Sequence, residues 1–358
     1  MAQITLSDLA HTYASNGTTD SDFALKAMNH VWQEGGAYAL LGPSGCGKTT
    51  LLNIISGLIM PSQGRVLFDG ADVTNLPAEK RNIAQVFQFP VVYDTMTVRE
   101  NLAFPLKNRG LTRAAVQARV GLIAGMIGLE DILDRKARGL TTDAKQKISL
   151  GRGMVRESVN AILFDEPLTV IDPHLKWELR TQLKSLHREL GHTMIYVTHD
   201  QIEALTFADT VVMMHEGRVL QMGTPESLFE TPAHTFVGHF IGSPGMNFLD
   251  ATIEGNTAVI DGQRISLNAH YRTALGHTQV GIRPEYVEFT AEEGLPVVIQ
   301  HIEDVGHRRI VHALVGETPI AVSVQEGQPF DTSMNRVRFV PGKINIYSDS
   351  WRVQGEAF

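Results

Sequence analysis

The sequence has little cysteine: of its 358 residues, only Cys46 is a cysteine. A single thiol excludes a disulfide within the chain and fits a reducing compartment. The chain also lacks a long apolar run, because no uninterrupted apolar stretch approaches the roughly 20 residues that a membrane-spanning helix needs. The N-terminus has no basic stretch followed by an apolar one, so the sequence predicts no signal peptide. We therefore expect any connection to a membrane to be made through a partner.

Excess positive charge is absent as well. The net charge is −8, which disfavours nucleic-acid binding through a basic surface. What remains is an ordinary soluble composition, 43% apolar and 20% charged, over a length that predicts two or three domains. Strand and helix patterns alternate as far as Gly242, and short strands with turn signals follow it. The sequence thus predicts an α/β domain followed by a small, barrel-like all-β domain.

One motif between two apolar stretches points to phosphate binding. It fills every fixed position of the G-x-x-x-x-G-K-[ST] loop in the strand–loop–helix context that the motif requires. Its residues are Gly42, Pro43, Ser44, Gly45, Cys46, Gly47, Lys48, Thr49 and Thr50. Curled backbone N–H groups and a helix N-terminus attract phosphate oxygens. We expect Lys48 to reach the outer phosphates, Thr49 to offer a hydroxyl to Mg²⁺, and Cys46 to pack as a small residue that alkylating agents could reach in apo protein.

A second motif places two carboxylates after an apolar strand, at Asp165 and Glu166. In α/β sheets the carboxyl ends of the strands bind ligands. We expect Asp165 to hold Mg²⁺ and Glu166 to orient or deprotonate an attacking water. The alternative is an acidic pair that only caps a helix.

With these residues in place, the chain resembles the ATP-binding subunits of ABC transporters. The resemblance implies a P-loop NTPase with a RecA-like core and a helical subdomain at about 90–158. It gives Gln88 as the Q-loop residue that senses Mg²⁺ and water, His199 as the switch histidine at the γ-phosphate, Asp172 as the acidic D-loop residue, and Tyr13 as the ring that stacks on adenine. The implied cofactors are ATP and Mg²⁺, with Thr49, Gln88 and Asp165 as the metal site.

Further segments resemble importers of the carbohydrate-uptake type, the maltose, glycerol-phosphate and glycerol group. These are 97–101, 198–204, 240–248 and 281–285. The resemblance implies an ATPase domain over residues 1–238 and an OB-like regulatory domain over 239–358. It also implies two transmembrane permease subunits, an extracytoplasmic solute-binding protein, no nucleic-acid partner, and a place at the cytoplasmic face of the cell membrane. The second domain could bind a regulatory ligand or protein, or widen a dimer interface.

The family's Leu-Ser-Gly-Gly-Gln signature is degenerate here. The matching residues are Leu140, Thr141, Thr142, Asp143 and Ala144. In the family this stretch caps the γ-phosphate held by the other subunit of a dimer. Glycines permit close backbone approach, whereas a carboxylate about 5 Å from one phosphate charge would cost roughly 3 kcal/mol at an effective dielectric of about 20. The same residues could simply N-cap a helix.

This degeneracy beside otherwise intact motifs suggests a heterodimer. We expect a second ATPase subunit with an ordinary signature to complete the site on this chain's phosphate loop. Glycerol-type importers use two different ATPase subunits, which favours a small polyol or sugar as solute. The alternatives are an ATP-binding regulatory subunit with little hydrolysis of its own, and a soluble ABC protein of translation or repair. A GTP-binding switch is disfavoured, because the sequence contains no Asn-Lys-x-Asp motif.

Overall fold

The computed structural model describes residues 1–14, 22–272, 276–327, 330–331 and 334–356. The chain divides into two compact units, Met1–Pro225 and Glu226–Phe358. Within the described residues of the first unit the strands are β1 Ile4–Thr12, β2 Phe23–Trp32, β3 Ala37–Leu41, β4 Gln63–Phe68, β5 Ala71–Asp72, β6 Ala84–Val86, β7 Ile162–Asp165, β8 Met194–Thr198, β9 Thr210–His215 and β10 Arg218–Gly223. Its helices are α1 Lys48–Ser56, α2 Val98–Lys107, α3 Arg113–Met126, α4 Thr142–Met154, α5 Pro173–Leu190 and α6 Gln201–Phe207.

The site is organised by a six-stranded sheet in the order β10-β9-β3-β8-β7-β6. Strands β9, β3, β8, β7 and β6 run parallel, and β10 adds an antiparallel edge. All five residues of β3 and of β8 are buried, as expected of parallel strands covered on both faces. Because the parallel strands all end at one edge, the residues that follow β3, β6, β7 and β8 are brought together there.

A second sheet of the first unit is antiparallel, in the order β2-β1-β4-β5. It packs with β3 and α1 around one hydrophobic core that contains Trp32, Leu40, Leu52 and Ile55, each 0% exposed. This core fixes the strand and the helix that flank the phosphate loop, so the loop is held between two immobilised ends.

Helices α2, α3 and α4 form the helical part of the first unit. Six apolar residues of this part of the chain are buried: Leu102, Leu106, Val116, Val120, Ile123 and Ile127. A methyl group added at Gly151 of α4 would lie 2.6 Å from Leu102 Cδ2, so α2 and α4 approach closely only because this position carries no side chain. Thr97 caps α2 through a reciprocal capping box with Glu100, and the helical subdomain at about 90–158 stays a prediction.

The second unit is mainly β. Its two short helices are α7 Pro225–Glu230, which begins at the last residue of the first unit, and α8 Thr235–Phe240. Its described strands are β11 Asn247–Asp250, β12 Thr252–Ile260, β13 Gln263–Tyr271, β14 Thr278–Ile282, β15 Val287–Thr290, β16 Leu295–Pro296, β17 Val298–Asp304, β18 Arg308–Val315, β19 Thr318–Gln325, β20 Arg336–Phe339, β21 Asn345–Ser348 and β22 Trp351–Val353. They pair into four small antiparallel sheets around one apolar core.

The compact units divide earlier in the chain than the expected boundary at 238/239. The reason is Arg283, which is 1% exposed and donates hydrogen bonds to the carbonyls of Phe229, at 2.9 Å, and Gly238, at 2.8 Å. Burial lowers the pKa of this guanidinium to about 10. The two short helices therefore belong to the second compact unit, and the functional boundary at 238/239 stays a prediction.

Candidate nucleotide-binding and catalytic site

The phosphate-loop motif connects the central strand β3 to helix α1. Gly47 caps α1 with a φ of 101°, in the left-handed region that favours glycine. Gly42 is required for space instead, because an added Cβ would lie 2.2 Å from the carbonyl oxygen of Met214. No side chain caps α1 and its first turn carries no acidic residue. The first N–H groups of α1 thus make a favourable place for an anion.

Lys48, the first residue of α1, is only 5% exposed. Its Nζ donates to the carbonyl oxygens of Gly42, at 2.8 Å, and Pro43, at 2.9 Å. The Lys48 ammonium therefore contacts the backbone of the same loop in which it is predicted to bind phosphate. Cys46 Sγ lies 3.8 Å from the same nitrogen, yet burial raises the pKa of the thiol against the opposing charge of Lys48. Cys46 is consequently a packed, protonated side chain, which disfavours rapid alkylation.

Thr49 and Asp165 converge from α1 and the end of β7. Thr49 Oγ1 donates to Asp165 Oδ1 at 3.1 Å. Burial, with a contribution from Glu166, raises the pKa of the Asp165 carboxyl, and the bond from Thr49 and the charge of Lys48 oppose that shift. A desolvated carboxylate beside a hydroxyl supplies the hard oxygen ligands that Mg²⁺ prefers. The residues fit such an ion, and the ion's charge would offset the cost of burying Asp165.

Glu166 and His199 meet across the ends of the neighbouring parallel strands β7 and β8. His199 Nδ1 lies 3.1 Å from Glu166 Oε2, and Thr169 Oγ1 donates to the same oxygen at 3.2 Å. The backbone of Glu166 has a φ of 44°, an unfavourable conformation for a residue with a side chain. Strain held at one carboxylate, together with two groups that orient it, is typical of a functional position.

The other predicted residues lie at or near this edge. Gln88 follows β6, the strand next to β7. Tyr13 is 66% exposed, and its hydroxyl lies 3.1 Å from Thr50 Oγ1, which brings an exposed ring to the start of α1. Asp172 caps α5 by accepting from the His174 backbone N–H at 2.9 Å, so this acidic residue has a structural task whatever else it does.

The degenerate signature stretch begins helix α4. Thr141 is its N-cap and accepts from the Ala144 backbone N–H at 3.3 Å. Asp143 lies in the first turn and forms no ion pair with any residue that the structure describes. The adjacent Lys145 is engaged elsewhere, with Nζ 2.8 Å from Asp94 Oδ1. The helix-capping interpretation is therefore correct for Thr141, and the carboxylate of Asp143 is left without a neutralising cation.

Sequence reasoning missed a polar connection between α4 and the segment that follows β7. Gln146 is fully buried, and its Nε2 donates to the carbonyl oxygens of Pro167, at 2.7 Å, and Phe87, at 3.3 Å. It thereby joins α4 to the residues that follow Glu166 and that precede Gln88. A glutamine on the buried and mostly apolar face of α4 is the signal that could have revealed this connection.

A buried carboxylate in α6 was missed as well. Glu203 accepts from Thr198 Oγ1, at 2.8 Å, and from the Tyr196 hydroxyl, at 3.0 Å. It therefore holds the end of β8, from which His199 extends. Both missed groups position the candidate site without belonging to a short motif.

None of the described helices combines the length and the apolar character needed to cross a lipid bilayer.

Two family models match parts of the sequence. Residues 25–169 match the ABC transporter family, and residues 242–287 match the MalK OB fold domain. The first match covers the phosphate loop, the acidic strand and the helical part, and the second begins after the two short helices.

Curated relatives match 90% or more of the chain. The sn-glycerol-3-phosphate import ATP-binding protein UgpC of Jannaschia sp. (strain CCS1) is 35% identical over 350 residues, which cover 97% of this chain and 98% of the relative. The trehalose/maltose import ATP-binding protein MalK of Thermococcus litoralis is 40% identical, over 90% of this chain and 93% of the relative.

Solved structures are similar to somewhat less than two thirds of the chain. The cbiO1 protein of Clostridium perfringens, part of the ABC transporter complex cbiONQ, superposes with a TM-score of 0.58 at 28% identity, over 64% of this chain and 90% of that one. A dimeric post-hydrolysis state of the ATP-binding cassette MJ0796, bound to ADP and phosphate, gives a TM-score of 0.55 at 27% identity, over 62% of this chain and 98% of that one.

Proposed function

Because the chain belongs to the ABC transporter family of ATP-binding subunits and is an ATPase of the importer type, we propose that it uses MgATP hydrolysis to energise uptake of a small polyol or sugar, with glycerol-type solutes favoured. The pairing of Glu166 with His199 beside the Thr49–Asp165 pair, all at one edge of the sheet, supports the proposal most strongly. The relatives' names, which cite glycerol-3-phosphate and trehalose/maltose import, support the solute class.

Binding is assigned to the loop and to the surfaces around it. The N-terminus of α1 and the ammonium of Lys48 attract the phosphates. The exposed ring of Tyr13 supplies a face on which adenine stacks. Mg²⁺ held by Thr49, Asp165 and Gln88 would supply charge neutralisation at the outer phosphates.

Hydrolysis is assigned to Glu166 and His199. Glu166 accepts a proton from the attacking water, or orients that water by accepting its hydrogen bond. Thr169 and His199 both lie against Glu166 Oε2, so they fix the carboxylate's orientation. A histidine beside that carboxylate can also donate to a phosphate oxygen that gains negative charge.

Assembly with membrane proteins follows from the importer type. We assign two permease subunits and an extracytoplasmic solute-binding protein as partners, and a location on the cytoplasmic face of the cell membrane. The described helices offer no membrane span of their own, so docking on the permease subunits is the proposed means of attachment. The all-β unit is assigned a regulatory task.

We also propose that this chain pairs with a second, different ATPase subunit, because of Asp143. Its unpaired carboxylate stands at the start of α4, where a partner's γ-phosphate would approach. The roughly 3 kcal/mol repulsion estimated for one phosphate charge at about 5 Å acts in both sites of a homodimer. A partner with an ordinary signature would leave the site on this chain's phosphate loop unopposed.

One experiment tests ATP-driven uptake, and a second tests pairing with a different ATPase subunit. Deleting the gene should abolish uptake of radiolabelled glycerol or a related polyol. Expression of the Glu166→Gln variant in trans should fail to restore uptake, although the subunit still binds ATP. Restoration by Glu166→Gln would favour the regulatory alternative.

Reconstitution with the permease subunits tests pairing: this chain as the sole ATPase should turn over little ATP, and the second subunit should restore turnover. Full turnover by the homodimer would contradict the heterodimer alone.

A further inference from the structure

The second unit carries three metal-ligating side chains that the ATPase site does not use. His301 and Glu303 lie two residues apart on β17, and therefore on the same face of the strand. His312 lies on β18 directly opposite His301 in the antiparallel pair. Together these residues form the one group of three or more His, Cys, Asp or Glu side chains within the described chain whose ligand atoms all lie within 4.8 Å of one another.

Their ligand atoms lie close enough together for one ion to bind all three. His301 Nε2 lies 3.4 Å and His312 Nε2 lies 3.5 Å from the same atom, Glu303 Oε1. The two imidazole rings are stacked with centroids 4.2 Å apart and planes 8° apart, so at least one ring must rotate about its side-chain torsions to aim both Nε2 lone pairs at one ion. In a tetrahedral site with bonds of about 2.0–2.1 Å, neighbouring ligand atoms lie about 3.3–3.4 Å apart. Both nitrogen–oxygen separations are therefore close to the edge of such a tetrahedron.

One nitrogen of the cluster lacks a hydrogen bond within the described part of the chain, although the carboxylate of Glu303 lies 3.5 Å from it. His312 Nε2 is inaccessible to solvent and makes no hydrogen bond with any residue in the described ranges. Buried polar atoms of this kind are usually satisfied by protein, water or an ion. The side chains of His301 and Glu303 remain more than half exposed, so an ion from solvent can reach the nitrogen through them.

The backbone of β17 is adjusted at this point. The pairing of β17 with β18 shifts register between Ile299 and His301. A bulge of this kind redirects the side chains that follow it. Here it sets His301 opposite His312, with Glu303 as the next residue on the same face.

We propose that His301, Glu303 and His312 bind a divalent transition-metal ion, with Zn²⁺ as the preferred ion. Two imidazoles and one carboxylate suit zinc, whereas Mg²⁺ and Ca²⁺ take oxygen ligands. Three protein ligands leave a fourth position for water or a small ligand. Both imidazoles also line a cavity of about 620 Å³ with Pro319 and Ile320, which gives such a ligand a route to the ion.

A simple histidine–carboxylate pair elsewhere in the same unit provides the contrast. His277 Nε2 lies 3.0 Å from Asp250 Oδ1, and both side chains are more than half exposed. No third ligand joins this pair in any metal-ligating group of the described residues. His277→Gln is therefore a matched control that removes an exposed imidazole from a carboxylate without touching the proposed site.

Zn²⁺ titrations of the full-length chain at neutral pH, followed by calorimetry, test the site. We expect one tight equivalent in the wild-type chain and in His277→Gln. Each of His301→Gln, Glu303→Gln and His312→Gln should weaken it by at least the roughly 10–100-fold that even residues behind the ligands contribute. Glu303→Gln changes an exposed side chain, so it keeps the test informative if His312→Gln fails to fold.

Replacing Zn²⁺ by Co²⁺ gives a second readout, because tetrahedral imidazole coordination has a characteristic visible absorption. We expect this absorption in the wild-type chain and in Cys46→Ser, because the proposed ligands do not include the thiol of the phosphate loop. Its loss in Cys46→Ser, or zinc binding unaffected by all three ligand variants, would overturn the proposal. Equal affinity for Mg²⁺ and Zn²⁺ would also overturn it.

Discussion

Helices α1 and α4 both begin at a segment that the sequence relates to phosphate, yet their N-termini are built differently. The N-cap of α1 is Gly47, which has no side chain to offer, and the first turn of α1 contains Lys48 and no acidic residue. The N-cap of α4 is Thr141, whose hydroxyl accepts from Ala144 N–H, and the first turn contains Asp143. The end of α1 is thus open to an external anion, whereas the end of α4 is satisfied by its own chain.

The same carboxylate has opposite effects on folding and on binding. Asp143 near the positive end of the α4 dipole stabilises the helix by about 0.3–1 kcal/mol. Against a phosphate it is repulsive, by roughly 3 kcal/mol on the estimate for a charge about 5 Å away. The second effect is the larger, so we expect the start of α4 to favour helix stability and to disfavour binding of a nucleotide. The start of α1 has no capping side chain, so its first N–H groups remain available to bind an anion.

Glu166→Gln gives the largest expected effect and tests whether the chemistry belongs to the α1 side. Removing the proposed base should lower ATP turnover by about 10²–10⁴-fold, with ATP binding retained because the phosphate loop is unchanged. Turnover is measured in the assembled transporter, and binding by titration with a fluorescent ATP analogue. Glu178→Gln, which changes an exposed glutamate of α5, is the control. Unchanged turnover in Glu166→Gln would remove hydrolysis from this edge of the sheet.

Asp143→Gly acts on the α4 side and should do the reverse. In an assembly with this chain as the sole ATPase, losing about 3 kcal/mol of repulsion should raise turnover by up to about 100-fold. Asp143→Asn should give a smaller rise, because it removes the charge but keeps a side chain. The control is Asp131→Asn, an exposed acidic residue outside the site. If Asp143→Gly leaves turnover where it was, the carboxylate is not what limits this assembly.

Asp165→Asn separates stability from binding within the α1 side. Burial raises the pKa of this carboxyl in the folded protein, so its contribution to stability is fully present below the unfolded pKa and is lost as pH rises through the folded pKa. At neutral pH the buried charge is therefore destabilising. The variant without nucleotide should melt at the same temperature or a few degrees higher; for a domain of this size about 1 kcal/mol corresponds to about 2–4 °C.

The nucleotide response of Asp165→Asn should go the other way. MgATP should stabilise it much less than it stabilises the wild-type chain, because one oxygen ligand of the proposed Mg²⁺ site is weakened. Differential scanning fluorimetry with and without MgATP, against Asp131→Asn, measures both quantities. If Asp165→Asn melts at a lower temperature than the wild-type chain without nucleotide, the Asp165 carboxylate stabilises the fold even in the absence of a cation.

How far the sequence predicts these two regions depends on how local each feature is. The phosphate loop and the Asp165–Glu166 pair are contiguous motifs whose chemistry depends on residue type and spacing, so they could be recognised without coordinates. The capping by Thr141 is local as well. The polar supports are different: Gln146 reaches the carbonyl of Pro167 across 21 positions of sequence, and no short pattern encodes that contact.

Tertiary contacts also explain what the sequence could not predict about the units. Arg283 holds the carbonyls of Phe229 and Gly238, and so draws the two short helices into the second compact unit. The metal-ligating cluster was missed because it depends on the register of β17 against β18. In both cases the residues are ordinary in sequence, and only strand pairing or burial brings them together.

Thr141→Ala is the smallest expected effect and tests whether the start of α4 serves stability. Losing the bond from the hydroxyl to the Ala144 N–H should cost about 1 kcal/mol, a fall in melting temperature of about 2–4 °C. ATP affinity of the isolated chain should not change, because its own phosphate loop lies at α1. Thr141→Ser keeps the cap and is the matched control. A fall in affinity without a fall in stability would mean that the two helix ends are not divided between binding and folding in the way their residues indicate.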